Sequence, residues 1–145
     1  MKSYTDIGQS KKLADFLPLE TADGFWEFHT EWGSDGDKWE GYEDYPNAEP
    51  YLEYTRYENE WREEKQDMPC WSLASLLSVL PFHIIVDNKI YAFSMVKGLD
   101  KNGETYAIKY AIFNTANYFH LTDFYNNPID ACYKMVIKLH EQKLL

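Results

Sequence analysis

Only two of the 145 residues are cysteine, Cys70 and Cys132. Two cysteines cannot build a disulfide scaffold, and a chain of this length can bury a core without one. Each lies in a stretch that reads as an apolar helix, so both are expected as free, buried thiols in a reducing cytosol. Histidine is equally sparse. His29, His83, His120 and His140 include no pair four residues apart, and the chain has no Cys-x-x-Cys or His-Glu-x-x-His. Asp35 and Asp37 open like a calcium loop, but Trp39 and Pro46 fall where its third and last ligands are needed. No metal and no cofactor are therefore expected. The seven glycines form no phosphate-cradling loop and no Gly-x-Ser-x-Gly elbow. No apolar run approaches the roughly 18 residues of a membrane span. The first eight residues lack the apolar core of a signal peptide. A cytoplasmic chain without membrane contact is expected.

Positive charge is scarce too. Fourteen basic residues face 24 acidic ones, for a formal net charge of -10. The imbalance is local: residues 20–67 hold 16 acidic and 4 basic residues, whereas the remainder is close to neutral. A field of that sign repels phosphate backbones, so direct nucleic-acid binding is not expected. Three readings of the acidic region stay open: a solvated face that aids solubility, a docking face for a basic partner, and a mimic of DNA charge.

Aromatic residues are abundant, at 17 % of the chain. Four of the five tryptophans, Trp26, Trp32, Trp39 and Trp61, lie in the acidic region. Aromatics among charges are the composition of protein interfaces, although they also suit a second half of the core. Residues 39–50 show no period and carry Trp39, Tyr42 and Tyr45. Such loops fold back on the body or mark a contact surface. With Trp61 these residues form the candidate binding set.

The clearest organising stretch is PCWSLASLLSVLP, residues 69–81. Leu73, Leu76, Leu77 and Leu80 recur at helical spacing, widened by Trp71 and Ala74. The spacing predicts a helix with Pro69 in its first turn and Pro81 as its stop. Ser72, Ser75 and Ser78 fall on its less apolar side. Residues 10–17 predict a shorter helix with Ser10 as N-cap, Leu13, Phe16 and Leu17 as its apolar side, and Ile7 stapled across the cap. In residues 19–23, Thr21 and Asp23 offer side-chain caps to nearby backbone. Residues 24–32 alternate weakly, as a short strand would. Residues 51–65 permit either a helix, through Tyr51, Tyr54, Tyr57 and Trp61, or a strand over 52–57.

Strands are expected over 83–86, 90–96 and 106–113, with turns at 87–89 and at Asn102-Gly103, a strong hairpin signal. Residues 118–125 add an edge strand or a loop. The last helix opens at Asn127, with Pro128 next and Asp130 completing a variant capping box. Its stripe is Ile129, Cys132, Val136 and Leu139, widened by Tyr133 and Met135. The fold class that follows is a single α+β domain over 1–145, with a small antiparallel sheet packed against two or three helices.

Catalytic constellations are weak. Cys70 has a histidine, His83, thirteen residues on, but its apolar neighbours favour packing. Asp23 and Glu27, near Trp26 and His29, would suit a small hydrolase with a carboxylate pair, or simply the wet side of a strand.

The helix at 10–17, the Trp-Ser-Leu helix between prolines and the Asn-Pro-Ile-Asp-Ala helix from Asn127 together resemble a family of small proteins of gut Bacteroidales and prophage-like elements, to which no activity is assigned. The resemblance spans most of the chain. It implies an accessory role in a phage or mobile element and carries no catalytic residues with it. The leading expectation is a non-enzymatic accessory or interaction protein, with a protein partner or self-association through the aromatic acidic region. A small hydrolase and an acidic antagonist of a DNA-binding protein are the alternatives.

Overall fold

The computed structural model describes residues 2–27, 51–54, 68–113 and 115–145, without the side chains of Glu27 and of 51–54. The fold is α+β, with antiparallel sheets packed against helices. Its contacts divide the chain into two compact units, Tyr4–Ser72 and Met1–Ser3 with Leu73–Leu145.

The first unit begins with α1, Ile7–Ala14. Its N-cap is Asp6, not Ser10: Asp6 accepts from the backbone of Gln9, and the Gln9 side chain accepts from that of Asp6. This reciprocal box outcompetes the serine because it satisfies two orphan donors at once. Ile7 is the first helical residue and no staple. Ser10 turns inward and is buried, and Phe16 and Leu17 lie past the helix end. A 3-10 turn, Leu19–Thr21, leads to β1, Gly24–Glu27. Strand β1 is the centre of a three-stranded antiparallel sheet, between β2, Tyr51–Tyr54, and β3, Met68–Cys70. Helix α1 packs against β3. Of the alternatives for residues 51–65, the strand expected over 52–57 is seen over Tyr51–Tyr54, and residues 55–65 lie outside the described residues.

Strand β3 corrects the reading of residues 69–81. Pro69 and Cys70 pair with Phe25 and Gly24 instead of opening a helix. Proline is tolerated there because β3 is an edge strand. Trp71 follows as fully buried coil.

The second unit opens on α2, Leu73–Val79. Leu76 and Leu80 are buried as the spacing requires, but Leu77 and Ala74 face outward and Ser75 faces inward. Then comes a four-stranded antiparallel meander: β4, His83–Val86; β5, Lys89–Asp100; β6, Gly103–Ala111; β7, Tyr118–Leu121. The β4–β5 turn holds Asp87 and Asn88 at φ 50° and 61°, residue types that tolerate the left-handed region a two-residue hairpin needs. The β5–β6 turn pairs Asp100 with Gly103, at φ 120°, and Asp100 accepts from the Asn102 backbone at 2.7 Å. Both hairpins match the turns the sequence predicts, although β5 runs longer than expected.

Helix α3, Pro128–Glu141, packs on β6 and on α2. Asn127 caps it by accepting from Ile129 at 2.9 Å. Asp130 is ion-paired with Lys2 at 2.5 Å, a partner the expected box did not include. Nine residues of α3 are buried, including Ala131 and Ile137 as well as the predicted stripe. No helix among the described residues is long and apolar enough to cross a membrane, which says nothing of strands.

Candidate functional site

In the first unit the polar chemistry converges on the segment after β3. Thr5 is fully buried, and its hydroxyl accepts from the Trp71 backbone at 3.1 Å and lies 2.8 Å from the Ser10 hydroxyl. The Thr5 carbonyl accepts from the Trp26 indole at 3.0 Å. The Trp71 indole donates to the Thr21 hydroxyl at 2.9 Å, and that hydroxyl donates to the Pro18 carbonyl. Asp23 holds Ser72 with both carboxylate oxygens, one on the backbone N–H at 2.8 Å and one on the hydroxyl. The network satisfies groups that burial would otherwise leave costly. Asp23 therefore does cap backbone, but 49 residues away in sequence.

These contacts bear on the candidate carboxylate pair. Asp23 sits directly ahead of β1 with its carboxylate engaged by Ser72, and Glu27 ends β1 with its side chain outside the described set. Trp39, Tyr42, Tyr45 and Trp61 lie outside the described residues altogether.

Both cysteines are free and buried, and Cys70 stands on a strand, where a helix was expected. Burial, with the Asp23 charge adding to it, pushes the Cys70 thiol far up. Burial alone pushes Cys132 up to about 12. A thiolate is the nucleophilic form, so both sites oppose thiol catalysis near neutral pH. Tyr110 is raised as well, by burial first and then by Cys132, and its hydroxyl donates to the Pro81 carbonyl at 2.6 Å. Among the described residues no group of three or more His, Cys, Asp or Glu side chains is placed to hold a metal ion.

The second unit displays a different kind of feature. Strand β4 is an edge of its sheet, and β5 is the only described strand paired with it. Ile85 and Ile90 stand opposite each other in the β4–β5 register, and each is 60 % exposed. Phe82, one residue ahead of β4, is 86 % exposed. Phe82 shares the other side of β4 with Ile84, which is only 4 % exposed. In the next row of the register His83 lies opposite Ala92, Ala92 opposite Ala111, and Ala111 opposite Tyr118, itself 57 % exposed. This row lies on the face that carries Ile85, and Ala111 within it is buried.

Sequence reasoning did not single out Phe82, Ile85 or Ile90. The run from Phe82 to Val86 is apolar apart from His83, so its alternation conceals which face is covered. The available signal was the two-residue Asp87-Asn88 turn, which fixes Ile85 opposite Ile90 and puts both on one face.

No family model, no curated protein and no solved structure matches this chain.

Proposed function

We propose that the chain works by binding another protein chain, as a cytoplasmic accessory or interaction protein, and not by catalysis. One observation carries this reading: Ile85 and Ile90 stand paired and largely exposed on one face of a single hairpin, with Phe82 exposed on the other side of the same strand. Isolated apolar side chains on a surface are ordinary, but a contiguous group is the mark of a contact site. Covering the exposed part of one such isoleucine contributes about 1–2 kcal/mol. The engagement of Asp23 by Ser72 favours a structural role for that carboxylate over the hydrolase reading.

The acidic region supplies a second contact in this proposal. Trp39, Tyr42, Tyr45 and Trp61 are its anchors, and the surrounding carboxylates steer a basic partner while repelling nucleic acid. The sequence resemblance supports placing such an accessory in a phage or mobile element.

The test is a nuclease-treated pull-down with the full chain from native-host lysate, at low and moderate salt. The expected result is a stoichiometric protein that Ile85→Lys with Ile90→Lys releases while the circular dichroism spectrum is unchanged. Release by Trp39→Ala with Tyr42→Ala assigns the contact to the acidic region, and a basic DNA-binding partner lost with rising salt identifies the antagonist form. An empty pull-down from a folded chain that also stays monomeric at high concentration overturns the reading.

A further inference from the structure

We infer that the occupant of the β4 edge is a second copy of this chain, paired antiparallel along β4 about a two-fold axis through Ile84. The inference rests on the interaction reading and names its partner and its register.

The hydrogen-bond parity of β4 decides which residues face outward. The Phe93 N–H donates to the Phe82 carbonyl at 3.0 Å, so Phe82 and Phe93 are a bonded pair. Antiparallel ladders alternate bonded and non-bonded pairs. Ile84 with Tyr91 and Val86 with Lys89 are then bonded, whereas His83 with Ala92 and Ile85 with Ile90 are not. The backbone N–H and C=O of His83 and Ile85 therefore point away from β5, toward the open edge. An apolar edge strand with free backbone groups is a template for another strand.

Three two-fold registers bring those outward groups together. Centring on His83 sets Ile85 against Pro81, which has no N–H to give. Centring on Ile85 sets His83 against Asp87, which is turned out of the strand at φ 50°. Centring on Ile84 sets His83 of each copy against Ile85 of the other. Each such pair exchanges two hydrogen bonds and leaves no outward group of the strand unmatched. The same register places Phe82 opposite Val86 of the second copy, on the side of the strand shared with Ile84. The most exposed apolar ring near this edge thus gains an apolar neighbour.

Charge agrees with this occupant. Residues 73–145 carry six acidic and seven basic side chains, so the unit that holds β4 has no acidic excess of its own to oppose a second copy. Asp87 falls opposite Pro81 of the second copy and meets no like charge. A basic partner has nothing to select it here. Pairing is isologous and consumes the β4 edge of both copies, so assembly closes at two.

The experiment is sedimentation equilibrium of the full chain from about 1 µM to about 500 µM, the range in which a small protein–protein contact assembles. The expected mass rises from the 17.2 kDa of the chain to twice that value. Ile85→Pro deletes an outward N–H while leaving the β4–β5 bonds in place, as proline on an edge strand allows. This variant is expected to keep the parent's circular dichroism spectrum and to remain monomeric. A chain carrying Phe82→Cys with Val86→Cys is expected to oxidise to a covalent dimer, whereas Phe82→Cys with Lys89→Cys does not. A parent that is monomeric throughout, with no cross-link in the Phe82→Cys and Val86→Cys chain, overturns the inference. So does a dimer that survives both Ile85→Pro and the absence of the 82–86 cross-link. A monomer that captures a different protein, and loses it on Ile85→Pro, overturns the second copy as occupant while the interaction reading stands.

Discussion

Thr5 shows how a single hydroxyl can organise a small unit. It is fully buried and meets both the Trp71 backbone and the Ser10 side chain. Thr5→Val keeps the shape but leaves the Trp71 N–H without that acceptor, and is expected to cost about 1–3 kcal/mol in urea unfolding. Thr21→Val removes the acceptor of the Trp71 indole at a half-buried threonine, and the expected loss is smaller, about 0.5–1.5 kcal/mol. The buried acids give a pH prediction. Cys70, Cys132 and Tyr110 are all raised in the folded chain, so unfolding releases their protons first. Their contribution is complete below the unfolded thiol value near 9.0 and is lost as pH rises toward about 12. Each group contributes a downward slope of at most ~1.4 kcal/mol per pH unit in that window. Urea titrations between neutral and alkaline pH are expected to show the decline, and Cys132→Ala to make it shallower. Gly24 is legible only in the fold: a Cβ there would lie 2.8 Å from the Tyr4 ring and 2.9 Å from the Cys70 sulfur.

Among the elements, the β4–β5 hairpin ties sequence to site most directly. Its two central residues both have positive φ. Asn88→Val is expected to lose about 1–2 kcal/mol in thermal or urea unfolding because a branched side chain resists that region. Asn88→Gly is expected to be neutral or mildly stabilising. Helix α3 was readable because cap, proline and stripe all agree, and its boundaries follow from local chemistry. Residues 69–81 were not, because the leucine spacing extends no further back than Leu73 and the preceding Pro69-Cys70 is recruited by β1. Pairing with a strand more than 40 residues earlier in sequence leaves no local trace. Helix α1 was misplaced for a simpler reason: Asp6 and Ser10 are both good caps, and the glutamine at position 9 decides between them.

For the whole molecule, the concentration of charge in residues 20–67 is the dominant property. The chain is expected to leave duplex DNA unretarded in gel shifts at about 0.15 M salt, where only a basic surface holds phosphates. Its tryptophans are expected to fall into two classes in iodide quenching. Trp71, with no exposure, is protected, and the quenchable fraction is expected to shrink on Trp39→Phe with Trp61→Phe.

The sequence by itself determined the α+β class, the two hairpin turns, the C-terminal helix with its cap and the acidic imbalance. Each of these depends on neighbours in the chain or on composition. Tertiary structure alone decided that Pro69 and Cys70 belong to a strand, that Asp23 caps Ser72, and that Ile85 and Ile90 face outward while Ile84 faces in. Those outcomes depend on which surfaces meet. A run of uniformly apolar residues fixes that it will pair, but the packing on one side of the sheet fixes which half of it stays available for contact.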